Sequence, residues 1–192
     1  MSPILGARGG LAASAYGFTS GAAAVGDYES IATVSVGSGG SATISFTSIA
    51  ATYKHLQLRI IAKTSRTADI TDGMNIQFNG DTASNYAQHW VEGNGSAASA
   101  AGYASQTRGW LGYSGASAAS TFSANVVDIL DYANTNKYKT VRTLYGIDAN
   151  GSGKTGLVSS LWMSGSAISS ILILPDYNSY VQYSSFALYG IK

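Results

Sequence analysis

The chain has 192 residues, a formal net charge of +1, no cysteine and only 11% charged residues, against a usual share of about 25%. With no basic stripe to neutralise phosphates, nucleic acid is not an expected partner, and with no thiols there are no disulfides, thiolate metal centres or cysteine nucleophiles. No apolar run approaches the roughly 20 residues of a membrane-spanning helix, so no membrane partner is expected.

The first boundary falls near Gly26. Residues 1–27 are mostly Gly, Ala and Ser, with Tyr16 and Phe18 as isolated aromatics. Such a segment buries too little apolar area to offset its ordering entropy. It reads as an extended N-terminal docking arm, with Tyr16 and Phe18 as anchors that become ordered on a partner. A cleaved secretory signal is not expected, because Gly6, Arg8, Gly9 and Gly10 interrupt any apolar core.

Residues 28–192 read as one domain. Apolar and polar residues alternate with period two, which places them on opposite faces of strands. Leu56, Leu58 and Ile60 alternate with His55, Gln57 and Arg59, and Met74, Ile76 and Phe78 with Asn75, Gln77 and Asn79. About ten strands are predicted, from segments near 29–36, 42–46, 54–64, 74–80, 85–92, 105–113, 121–132, 138–148, 156–163, 167–174 and 180–191. Gly37–Gly40, Asn79-Gly80-Asp81 and Asn150–Gly153 supply turn residues that tolerate positive φ. Pro175 closes a strand. Gly93–Gly102 reads as a small-residue loop. Val126, Val127, Ile129 and Leu130, and Ile168 with Ile171–Leu174, are apolar on both faces and mark candidate central strands covered from both sides. Short strands with frequent turns predict an all-β, antiparallel sandwich or barrel.

Motifs that suggest chemistry yield to simpler readings. Asp148–Thr155 (DANGSGKT) resembles a phosphate loop, but Asp148 stands where the first glycine is needed and a strand follows instead of a helix. A hairpin turn explains it. His55 and His89, the only histidines, lie in strand patterns with no nucleophile beside them. Asp69, Asp72, Asn79 and Asp81 form an oxygen-rich patch of the kind that holds calcium. Their spacing matches no EF-hand, however, and turn chemistry accounts for them, as it does for Asp128, Asp131, Asn134 and Asn136. No metal and no cofactor are expected. A glycosidase needs two paired carboxylates, and nothing pairs Glu92 with Asp128 or Asp131. Thirteen Tyr and three Trp (Trp90, Trp110, Trp162) are set among few charges, as on surfaces that bind sugars or proteins.

Several stretches occur together: Glu29–Val34, Tyr53–Arg59, Ile76–Tyr86 (IQFNGDTASNY), Asp128–Tyr132 continuing into Lys137–Thr140, and Gln182–Lys192. In this combination residues 28–192 resemble a group of small tailed-bacteriophage virion structural proteins. The resemblance implies a jelly-roll-like sandwich, a homotrimer and a non-enzymatic role in the virion, and it transfers no catalytic residue. The expected function is decoration or cementing of the capsid exterior, with residues 1–26 docking on the major capsid protein or another virion protein. The alternative is a tail or fibre module that binds host surface glycans through exposed Tyr and Trp.

Overall fold

The structure, a computed structural model, describes residues 27–192. Among them are twelve strands and no helix: β1 (Tyr28–Ser35), β2 (Ile44–Phe46), β3 (His55–Ala62), β4 (Thr71–Phe78), β5 (Tyr86–Gly93), β6 (Ala98–Gln106), β7 (Gly109–Gly115), β8 (Ser123–Ile129), β9 (Lys139–Asp148), β10 (Gly153–Trp162), β11 (Ile171–Pro175) and β12 (Ser185–Ile191). Every strand pairing is antiparallel. The strands form an eight-stranded sheet, β1-β12-β3-β8-β9-β10-β5-β6, and a four-stranded sheet, β2-β11-β4-β7.

This order is a jelly roll with an extension. If β9, β10, β5 and β6 are set aside, β1-β12-β3-β8 faces β2-β11-β4-β7, the two four-stranded halves of an eight-strand double Greek key. Two inserted hairpins, β5–β6 and β9–β10, add to the β8 edge and double the width of one sheet. The four-stranded sheet therefore covers only part of the inner face opposite it.

Register across the large sheet is unbroken from β12 to β5, with shifts only at the two edge pairings, β1–β12 and β5–β6. One inner row runs Leu188, Leu58, Val127, Thr143, Val158, Trp90. Where the small sheet covers this face, Leu58, Val127 and Leu188 pack with Met74, Ile76, Phe78, Ile171 and Ile173 in the main core. Beyond β8 the covering thins, and a second cluster forms from Trp110, Tyr145 and Val158, with Trp90 and Tyr113 against it.

The predicted turns are present. Asn79 and Gly80 take φ of 53° and 69°, and the Asp81 amide donates to the Phe78 carbonyl at 2.9 Å. Asn150 and Gly151 do the same between β9 and β10. Other expectations are corrected. Gly93–Gly102 is not a loop: its second half belongs to β6, because backbone pairing with β5 rather than side-chain burial orders it. The predicted 105–113 strand is split between β6 and β7. The segment from 121 stops at Ile129, since Asp131 adopts φ 48° in a turn. β11 opens only at Ile171, and residue 180 contributes isolated bridges to Ser41 and Thr64 instead of a strand. The two candidate central strands are central in their sheets but not covered on both faces: Val126 on β8 is exposed, and Leu172 and Leu174 on β11 are half-buried.

The sheets are tied together at a bulge in β7. There the register shifts between Gly73 and Asn75, and Gly112 takes φ 87°, where a Cβ would lie 2.3 Å from Tyr145 Cδ1. The bulge turns backbone carbonyls inward, and Asn125 of the opposite sheet donates to Leu111 O at 3.1 Å and Tyr113 O at 3.2 Å. Asn125→Ala leaves these buried acceptors unpaired, so a loss of about 2 kcal/mol is expected in urea unfolding.

Buried tyrosines give the fold an alkaline limit. Tyr86, between Phe78 and Trp162, donates to Asp81 O at 3.2 Å. Burial is the main cause that pushes its hydroxyl up to about 12, and burial likewise raises Tyr145 and Tyr180. An unfolded tyrosine ionises near pH 10. Above that the folded state retains protons that the unfolded chain releases, so the stability these groups contribute is present below about pH 10 and lost as pH rises through the folded values. Urea midpoints at about pH 9 and about pH 11.5 should show this fall, and Tyr86→Phe should make it shallower.

Candidate interaction surface

The outer face of the large sheet carries a feature that no element of the described chain covers. The outer row in register with the inner one runs Ala187, Arg59, Val126, Leu144, Leu157, Val91, Ala100. Its four central members are 39%, 58%, 56% and 47% exposed (Val126, Leu144, Leu157 and Val91). They lie on adjacent strands and so form one apolar stripe. Val126, Leu144 and Leu157 border a shallow groove of about 470 Å³, which Asp128, Arg142 and Ser159 close on one side.

The two flanks differ. On one, the next row contains Tyr189, Gln57, Asp128, Arg142, Ser159 and His89. Gln57 donates to Asp128 at 2.8 Å and accepts from Arg59 Nε at 3.0 Å, while the Arg59 guanidinium lies 5.5 Å from the Tyr28 ring centroid and 5.1 Å from that of Tyr189. This network fixes the charged groups and keeps them beside the stripe. On the other flank Ile61, Ala124, Gly146, Thr155 and Gly93 are in register. Ala124, Gly146 and Gly93 in that row project little from the sheet, so another surface can approach closely beside the stripe.

Most polar residues singled out from the sequence serve the fold. His55 Nδ1 accepts the Asp131 amide at 2.9 Å, and Asp131 pairs with Lys137. His89 is exposed on the outer face, its ring lying over Gly102, where a Cβ would come within 2.3 Å. The oxygen-rich patch is dispersed. Asp72, fully buried at the start of β4, accepts Thr64 Oγ1 at 2.9 Å. Asp81 lies beyond the far end of that strand, a separation of about 20 Å along β4 alone, and accepts Trp162 Nε1 at 2.7 Å. Asn79 Oδ1 accepts the amides of Ser169 and Ser170. Asn134 and Asn136 belong to the turn after Asp131. Among the described residues no three His, Asp or Glu side chains come together to hold a metal ion.

The DANGSGKT segment is the β9–β10 hairpin: Ala149 N donates to Ser152 O at 2.7 Å, Asp148 Oδ1 accepts Asn150 N at 2.9 Å, and Lys154 turns inward to Glu92 at 3.1 Å. Glu92 points to the inner face and Asp128 to the outer, so the sheet separates them. Of the tryptophans, Trp162 and Trp110 are buried and Trp90 is half-buried. Tyr16 and Phe18 lie outside the described residues. The apolar stripe was present in the sequence as Val126, Leu144 and Leu157, but its exposure depends on which strands neighbour one another.

Comparison of the chain with protein-family models, curated proteins and solved structures finds no match.

Proposed function

We propose that this protein is a non-enzymatic virion structural component that decorates or cements the exterior of a tailed-phage capsid as a homotrimer. The observation that carries the reading is the exposed stripe Val126, Leu144, Leu157 and Val91. Single exposed apolar residues are ordinary, but a contiguous stripe across four adjacent strands marks a contact surface. Its occupant is a further copy of the chain. A net charge of +1 sets up little repulsion between copies, and on the flank the stripe meets charges of both signs, Arg59 and Arg142 with Asp128, the mixed edge that a second copy can match. The non-enzymatic part rests on commitment of the carboxylates: Glu92 holds Tyr145 and Lys154, and Asp72 holds Thr64.

Magnitudes limit what the stripe does alone. Burying a Val or Leu side chain fully is worth about 1.5–3 kcal/mol, so covering four half-exposed ones contributes roughly 3–6 kcal/mol. Association costs about 4–15 kcal/mol in lost freedom. The stripe thus sets where copies meet, and further contacts are needed for stable assembly. In this reading residues 1–26, with Tyr16 and Phe18 as anchors, supply the contacts to the shell.

Two outcomes test the proposal. Leu144→Asp with Leu157→Asp is expected to convert a trimer into a folded monomer in light scattering after size exclusion; a wild-type chain that is already monomeric at tens of micromolar would overturn the self-association. Incubated with undecorated capsid shells, the full chain should sediment with them and a chain lacking residues 1–26 should not. Equal binding by both would remove the docking role.

A further inference from the structure

A second surface lies on the inner side of the same extension, where β5 and β6 overhang β7, the edge strand of the small sheet. The overhang and that edge enclose a cleft of about 270 Å³. Its aromatic side is held rigidly. Trp110 packs edge-on to Trp90, Tyr113 and Tyr145, with ring centroids 5.7, 5.1 and 5.8 Å away. The β7 bulge makes this possible: Trp110 and Tyr113 are three positions apart and would face opposite ways in a regular strand. From behind, Glu92 accepts Tyr145 Oη at 2.7 Å and Lys154 Nζ at 3.1 Å, and Lys154 Nζ lies 4.3 Å from the Tyr113 ring centroid. Tyr103, half-exposed on β6 opposite Gln88, stands at the mouth.

The polar side is equally specific. Asp176 Oδ1 accepts Asn75 Nδ2 at 2.9 Å and pairs with Arg108 at 3.2 Å. The carboxylate occupies space that only glycine leaves at position 73, where a Cβ would lie 1.9 Å from Asp176 Oδ2. Asp176 and Arg108 cancel each other's charge, and Gln88 and Gln106 add amides that both donate and accept.

From this arrangement we infer that the cleft is a binding site for a neutral saccharide, a mono- or disaccharide unit at the tip of a larger glycan. Aromatic faces suit the apolar C–H faces of a sugar ring, and amides with a neutralised Arg–Asp pair suit its hydroxyls. A quaternary ammonium group also favours aromatic walls, but an ionic ligand finds no free countercharge here: Arg108 occupies the Asp176 carboxylate that a cation would seek, and Asp176 occupies the guanidinium that an acidic sugar would seek. The volume is below the roughly 300–1,000 Å³ of pockets that enclose drug-sized ligands, so only the end of a chain is held. The inference does not rest on the decoration proposal, since the stripe and the cleft are on opposite faces of the sheet.

The test is a glycan array carrying neutral, sialylated and sulfated glycans, probed with the full chain and followed by titration of the best neutral hit. Saturable binding to neutral glycans is expected, weakened at least tenfold by Trp90→Ala and severalfold by Tyr103→Ala, whose half-exposed side chain can be removed without disturbing the core. Leu144→Asp should leave it unchanged. No saturable signal, a signal confined to sialylated or sulfated glycans, or neutral-glycan binding that persists in both aromatic variants would overturn the inference. Assembly measured on the same variants separates the two readings, because the cleft substitutions should leave the trimer intact.

Discussion

Four strands face eight, and most of what distinguishes this molecule follows from that mismatch. A sheet needs one face buried to be stable, and the jelly-roll half of the large sheet, β1-β12-β3-β8, meets the requirement against β2-β11-β4-β7. The added strands β9, β10, β5 and β6 are held by backbone ladders, by a small aromatic cluster under β7, and by Val141, Trp162 and Tyr86 at one end, which reach the main core. Beyond β7 the inner face opens into a cleft, and behind it the outer face presents an apolar stripe. Both surfaces are products of one extension.

Buried polar groups mark where the fold accommodates it. Asn125 reaches from the large sheet to carbonyls freed by the β7 bulge, and Glu92 joins Tyr145 to Lys154 behind the aromatic wall. Unpaired, such groups would each cost about 1–3 kcal/mol. Paired, they fix the position of β7 beneath β9 and β10 and so fix the shape of the cleft.

The period-two pattern of β3 and β4 made the all-β class legible, because each residue's face depends only on its neighbours along the strand. Asn79-Gly80 and Asn150-Gly151 were legible for a similar reason: positive φ is a local requirement. β6 was not. Ala98–Gln106 has no large apolar side chain except Tyr103, and its order comes from pairing with β5, a non-local fact. The stripe was hidden in the same way. Val126 and Val127 read correctly as apolar on both faces, but apolarity on a second face does not say whether this chain or another covers it. Trp90, Trp110 and Tyr113 could be counted in the sequence, yet only the bulge at Gly112 brings the last two to one side.

The central claim is that the outer stripe is solvent-exposed only in the isolated chain. Hydroxyl-radical footprinting of Val126, Leu144 and Leu157, read by mass spectrometry across a dilution series, reports the side-chain exposure directly. The account predicts protection of these three at high concentration and on decorated particles, with labelling restored on dilution, while the exposed Tyr138 and Tyr183 label throughout. Equal labelling of the stripe at every concentration and on the particle would contradict it.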